Sequence, residues 1–192
     1  MRFFALISLI VVSFTSHSQT PVPNFTVNNI DGNSISLDGY KNAAGVAIIF
    51  TSNNCPYDIY YKERIRTLIK NYQDKIQFIL VNSHQDPEET VEKMKIAYGA
   101  WALPVPYLVD KDQIVQQALG ARKSPEVFLL KRPDSNRDEN FVVVYSGGID
   151  DNPQAPQAVT SYYLKIAIDR LLAAQEINLQ PVRSGGCTIR KK

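Results

Sequence analysis

The sequence predicts an α/β domain: a central mixed, mostly parallel sheet flanked by helices, with an antiparallel edge and a mobile C-terminal tail. Three observations carry this reading. Residues 45–50 are a short apolar run of strand length, and 76–83 a near-continuous one, as a strand buried on both faces requires. Between them Tyr61, Ile65, Leu68, Ile69 and Tyr72 recur at helical spacing, so strand, helix and strand form one right-handed crossover unit. Later, residues 127–131 and 141–146 read as two strands joined only by the polar segment 132–140, a hairpin, before a closing helix.

Taken in order, residues 25–29 and 34–37 are short strands around the turn Asp31-Gly32-Asn33. The strand at 45–52 leads into a helix over 56–74. Asn53 or Asn54 suits its cap, Pro56 its first turn and Asp58 the positive end of its dipole. After the strand at 76–83, residues 86–98 predict a second helix, capped by Asp86, with Pro87 in the first turn and Glu88 and Glu89 complementing the dipole. A short strand at 105–109 and a short helix at 111–119, ended by Gly120, follow. Gly147-Gly148 breaks the second hairpin strand, and the last helix spans about 158–174. Residues 175–192 lack periodicity and carry Gly185-Gly186 beside Cys187, which reads as a mobile arm.

With 192 residues, 44% of them hydrophobic and 21% charged, the chain fits one domain with short extensions and is not disordered. A net charge of +2 is too small to imply a nucleic-acid partner. Arg2 precedes an apolar run over 3–14, then Ser16-His17-Ser18, so residues 1–18 read as an export signal cleaved before Gln19. An uncleaved anchor is the alternative, although the run is shorter than the ~20 residues a span needs. The expected division is then signal 1–18, domain 19–174 and tail 175–192. The mature protein is expected outside the cytoplasm, periplasmic or extracellular, without stable membrane insertion. No Cys/His cluster has zinc spacing, and no metal or other cofactor is implied. His84 fits a core or surface histidine better than a metal ligand.

Cys55 is the residue around which chemistry is expected. It sits where a strand hands over to a helix N-terminus, where unpaired amides and the dipole favour the anionic, reactive form of the thiol. A buried, inert cysteine is the competing reading. The other cysteine, Cys187, lies 132 positions later, and the two are able to form one disulfide.

Four segments carry a resemblance: Asn53-Asn54-Cys55-Pro56-Tyr57, Gly120-Ala121-Arg122-Lys123-Ser124-Pro125, Gly148-Ile149-Asp150-Asp151-Asn152 and Gly186-Cys187-Thr188-Ile189. In this order they resemble the thioredoxin-like redoxin proteins of the peroxiredoxin-like group, from about Pro23 onward. The resemblance implies a thioredoxin-like fold in which Pro125 is cis and lies against Cys55. Two departures matter. Asp58 stands where thioredoxins carry a second cysteine, so Cys-x-x-Cys exchange is impossible at this site alone. Ser52 matches the peroxiredoxin hydroxyl three before the cysteine, but Ile48 stands where that motif has proline.

The implied activity is thiol-based oxidation and reduction. Cys55 attacks a protein disulfide or a peroxide and Cys187 resolves the product, with a thioredoxin-type protein as electron donor. Arg122 either stabilises the anion or is a solvated loop charge. Asp58 is either a dipole partner or a proton acceptor beside the thiol. The alternative function is a binding or structural domain with a static Cys55–Cys187 bridge.

Overall fold

A computed structural model describes residues 21–101, 103–133, 140–179 and 182–192. The export-signal expectation and the centre of the 132–140 hairpin loop fall outside these residues. The element order is β1 (Pro21–Val22), β2 (Thr26–Asn28), β3 (Ser34–Ser36), β4 (Val46–Phe50), α1 (Pro56–Tyr72), β5 (Gln77–Asn82), α2 (Val91–Gly99), β6 (Tyr107–Val109), α3 (Ile114–Leu119), β7 (Lys123–Ser124), β8 (Glu126–Lys131), β9 (Phe141–Gly147), α4 (Tyr163–Leu172) and β10 (Cys187–Thr188).

Six strands form the central sheet in the order β1-β9-β8-β4-β5-β6. The pairs β4–β5 and β5–β6 are parallel, whereas β4–β8, β8–β9 and β9–β1 are antiparallel. The sheet is therefore mixed as expected, but its parallel half is not the larger one. The sequence reading missed β1, whose two residues pair with Phe141 and Val142; a two-residue strand has no period to detect.

The apolar runs have the predicted cause. On β4, Ala47 and Ile49 face a core built from α1, α2 and α4, including Ile65, Ile69, Met94, Leu164 and Ile168. Val46, Ile48 and Phe50 face the opposite core with Phe25, Leu37, Val115 and Ile189. Phe78 and Leu80 on β5, and Val127 and Leu129 on β8, keep to the first core, while their neighbours keep to the second. A strand buried on both faces has nowhere to place a polar side chain, so alternation disappears.

Two terminations differ from the expected ones. Pro87–Glu89 is a separate 3-10 turn, and α2 starts after Thr90, whose side chain accepts from the Lys93 amide. Glu89 is thereby freed from helix-dipole duty and turned inward. The last helix likewise begins at Tyr163, after a 3-10 turn at Pro156–Ala158.

The segment Gly148 to Asn152 fastens α1 to the β9–α4 connection. Buried Asp150 accepts from Tyr61 Oη at 2.8 Å and pairs with Arg64 Nη1 at 2.5 Å. Arg64 also donates to the carbonyls of Asn152 and Pro153. Removing one partner of such a pair leaves an uncompensated charge. Asp150→Ala is expected to lower stability by about 3 kcal/mol, read from urea unfolding with the disulfide intact.

Candidate functional site

The turn between β4 and α1 is built by hydrogen bonds to side chains. Ser52 Oγ donates to Glu89 Oε1 at 2.5 Å and accepts from the Asn54 and Cys55 amides at 3.2 Å each. Glu89 also accepts from the Asn53 amide and, at 2.6 Å, from Asn82 Nδ2. Cys55, rather than either asparagine, occupies the N-cap position of α1, and Pro56 takes the first helical position. The first-turn amides that follow have no carbonyl within the helix to pair with, so the Cys55 side chain stands at the positive end of α1.

Cys55 is bonded to Cys187, with the Cα atoms 5.9 Å apart. Only 2% of Cys55 is exposed, because its partner strand covers it. Ser124-Pro125 is a cis peptide, and the Ser124 carbonyl oxygen lies 3.4 Å from Cys55 Sγ. In the disulfide that sulfur has no proton, so the approach is a contact; a reduced thiol would donate there.

The C-terminal segment is docked and is not a free arm. Cys187 pairs with Ser124 and Thr188 with Lys123 in an antiparallel ladder, and the Ile189 amide donates to the Arg122 carbonyl. Ile189 is 5% exposed within the second core; filling that slot is worth about 1.5–3 kcal/mol. Upstream, Val182 bridges to Gly147. The glycines that suggested mobility serve close approach: a Cβ on Gly186 would stand 2.3 Å from the Ser124 carbonyl oxygen.

Two buried carboxyls beside this turn meet opposite fates. Burial pushes Glu89 up, but the donors from Ser52, Asn53 and Asn82 outweigh it and hold Glu89 below the usual carboxylate range. Asp58 is 1% exposed, and neither of its oxygens has a hydrogen-bond partner. Burial, with a smaller contribution from the Glu89 charge, pushes it up to about 8. The Thr51 and Ser124 hydroxyls and the Ser52 backbone lie near enough to pull weakly the other way. Asp58 is therefore a protonated acid at neutral pH. It lies one turn after Cys55 and lines a pocket of about 200 Å³ with Thr51, Ile59, Tyr98, Trp101 and Tyr107.

His84 is buried on the other side of the cis-proline turn, with Nε2 2.8 Å from Ser124 Oγ. Burial lowers its pKa, so the imidazole is neutral at pH 7. Arg122 is exposed; its amide donates to Glu126 and its carbonyl receives Ile189. Ile48 lies in the core of β4. The site thus brings together Ser52, Cys55, Pro56, Asp58, Pro125 and Cys187, while Arg122 contributes backbone at its border. Sequence reasoning missed Glu89, His84, Asn82 and Gln113, whose roles depend on contacts across 7 to 79 positions. Among the described residues no group of three His, Cys, Asp or Glu side chains is placed to hold a metal, and no helix is long and apolar enough to cross a membrane.

A mixed sheet, a cysteine opening the helix after its central strand and a cis-proline turn against that cysteine define a thioredoxin-fold redoxin. The chain belongs to the AhpC/TSA family, whose profile matches residues 18–150. Among solved structures it is similar to an uncharacterized conserved protein from Geobacillus kaustophilus (29% identity, TM-score 0.80, covering 91% of this chain and 92% of that one). A hypothetical protein from Sinorhizobium meliloti 1021 is 28% identical, with TM-score 0.78 and coverage of 92% and 95%. A putative thiol:disulfide interchange protein DsbE from Chlorobium tepidum shares the fold at 15% identity and TM-score 0.59, covering 80% and 96%. No match was found among curated proteins.

The Asp58 acid has a measurable consequence. The folded chain holds a proton that the unfolded chain, with its carboxyl near 3.8, releases. This contribution to stability is present below about pH 4 and is lost as pH rises toward 8. Asp58→Asn, a neutral near-isostere, is expected to stabilise the protein by about 1–3 kcal/mol at pH 8 and by little at pH 4, measured by urea unfolding at both. An equal gain at both values would assign the effect to packing.

Proposed function

We propose that this protein is an exported thiol oxidoreductase in which Cys55 is the nucleophile and Cys187 the resolving thiol. The observation that carries the reading is the disulfide itself. It joins a cysteine at the N-terminus of α1 to one on a strand lying against the cis-proline turn. Membership of the AhpC/TSA family supports a redox role.

With a peroxide, the Cys55 thiolate attacks one oxygen, the O–O bond breaks and the leaving oxygen takes a proton, giving a sulfenic acid and an alcohol or water. The Cys187 thiol then displaces water to form the disulfide. With a disulfide substrate, Cys55 displaces one thiolate and Cys187 the other. Either route ends at the same Cys55–Cys187 bond, which a thioredoxin-type donor would reduce. Asp58, protonated at neutral pH and one turn from Cys55, is suited to supply the leaving group's proton, and the carboxylate so formed would take up a proton when the thiols are next reduced and ionise. Ser52 fixes the turn, and Pro56 and Pro125 shape the walls around the sulfur. Arg122, exposed at the border, would stabilise the thiolate or a peroxide oxygen.

The second reading, a static bridge in a binding domain, draws on the near-complete burial of Cys55 in this state. Reduced protein mixed with hydrogen peroxide, and separately with a protein disulfide, discriminates the two when both thiols are followed by mass. Cys55→Ser is expected to abolish turnover. Cys187→Ser should leave one fast reaction and trap a sulfenic acid or mixed disulfide on Cys55. Normal turnover by Cys187→Ser would move resolution to another protein, and a Cys55 unreactive toward both oxidants would leave the static bridge. Export is checked by N-terminal sequencing of native protein, which should begin at Gln19.

A further inference from the structure

We infer that Gln113 is a positioning residue: a clasp that keeps the C-terminal segment docked over Cys55 after the disulfide opens, so that Cys187 stays within reach. Its functional meaning rests on the redox reading above; the clasp itself does not.

Gln113 is 2% exposed and takes φ 57°, ψ 32°, a left-handed backbone uncommon for a residue with a side chain. It immediately precedes α3, a six-residue helix, and glycine or asparagine would serve that turn with less strain. The reason for glutamine lies in its amide. Nε2 donates to the Arg190 carbonyl at 2.6 Å and to the Ser83 carbonyl at 3.2 Å, while Oε1 accepts from the Lys192 amide at 2.9 Å. Both ends of one buried amide therefore hold the tail, three and five residues beyond Cys187. The Ser83 and Arg190 carbonyls only accept and so call for the amide nitrogen, while the Lys192 N–H only donates and calls for the oxygen, so all three partners agree on one orientation.

The same stretch is held on its other side by the Ile189 amide on Arg122 and by the buried Ile189 side chain. None of these contacts involves sulfur, so cleaving the S–S bond breaks none of them directly. A strained backbone retained at one residue, with its side chain devoted to a distant segment, is what a built-in docking device requires. Its effect is to keep the resolving thiol at high local concentration beside Cys55.

The test uses the full chain and two variants. Gln113→Asn is at home in the left-handed region but one methylene too short to reach Arg190, and Gln113→Gly removes both strain and amide. Each is equilibrated with glutathione, in which the two thiols plus oxidised glutathione give the Cys55–Cys187 disulfide plus two reduced glutathiones; the oxidised fraction is read by alkylation and mass. Both variants are expected to lower this equilibrium constant about tenfold or more, the net effect of two neutral hydrogen bonds. In reduced wild type the Ile189 and Lys192 amides should be protected from hydrogen exchange, and this protection should be lost in the variants while β4 amides keep theirs. An unchanged equilibrium constant overturns the proposal. So does free exchange at Ile189 in reduced wild type, a measurement that decides the matter even if a variant fails to fold. The equilibrium requires no turnover, so a Cys55 inert toward peroxide and protein disulfides would overturn the functional reading and leave the clasp standing.

Discussion

The site depends on one buried charge, the carboxylate of Glu89. An ionised carboxyl taken out of water is tolerated only when donors surround it, and here they come from Ser52, the Asn53 amide and Asn82. Those bonds fix the turn that ends β4 and set where α1 begins, which puts Cys55 at the helix cap. Asp58, buried with no donor in full hydrogen-bond contact, keeps its proton chiefly because burial penalises its charge, and the Glu89 carboxylate adds to that. Two carboxyls at one turn thus become a structural anion and a neutral acid, and the difference is the donors each can reach.

Much of the fold was legible because burial on both faces leaves a strong trace. The β4 and β5 runs, the helical stripe of α1 and the Gly32 and Gly120 turns were read from neighbouring residues, whereas the cis Ser124-Pro125 turn came with the family resemblance. Cys55 and Cys187 were found as a pair because there was no third cysteine to confuse them. The proportion of parallel to antiparallel pairing was not legible, since β8 reads the same whether it runs with β4 or against it. Glu89 looked like a helix-start acid because Pro87 and two glutamates mimic a first turn; only the break before Thr90 turns it inward.

The tail shows where composition misleads. Absence of periodicity and paired glycines describe an arm with little structure of its own. The structure it does have is borrowed: backbone pairing with Ser124 and Lys123, a slot for Ile189 and the Gln113 amide. A glycine that gives freedom and a glycine that permits contact are the same letter. What distinguishes Gly186 is a carbonyl oxygen contributed from more than sixty positions earlier, and no local window contains it.

The bond between Cys55 and Cys187 encloses 132 positions, most of the described chain. Closing a loop of that size removes disorder from the unfolded ensemble worth roughly 5 kcal/mol in the chain-entropy picture. Thermodynamic reciprocity then applies: as much as the bond favours the folded state, the folded state favours the bond. Redox poise and resistance to unfolding are therefore two readings of one quantity in this molecule. A chain with an open bond is nearer to unfolding and to proteolysis, and a folded chain is the stronger electron donor. Surroundings that keep the pair oxidised lengthen the protein's lifetime, and reducing ones shorten it.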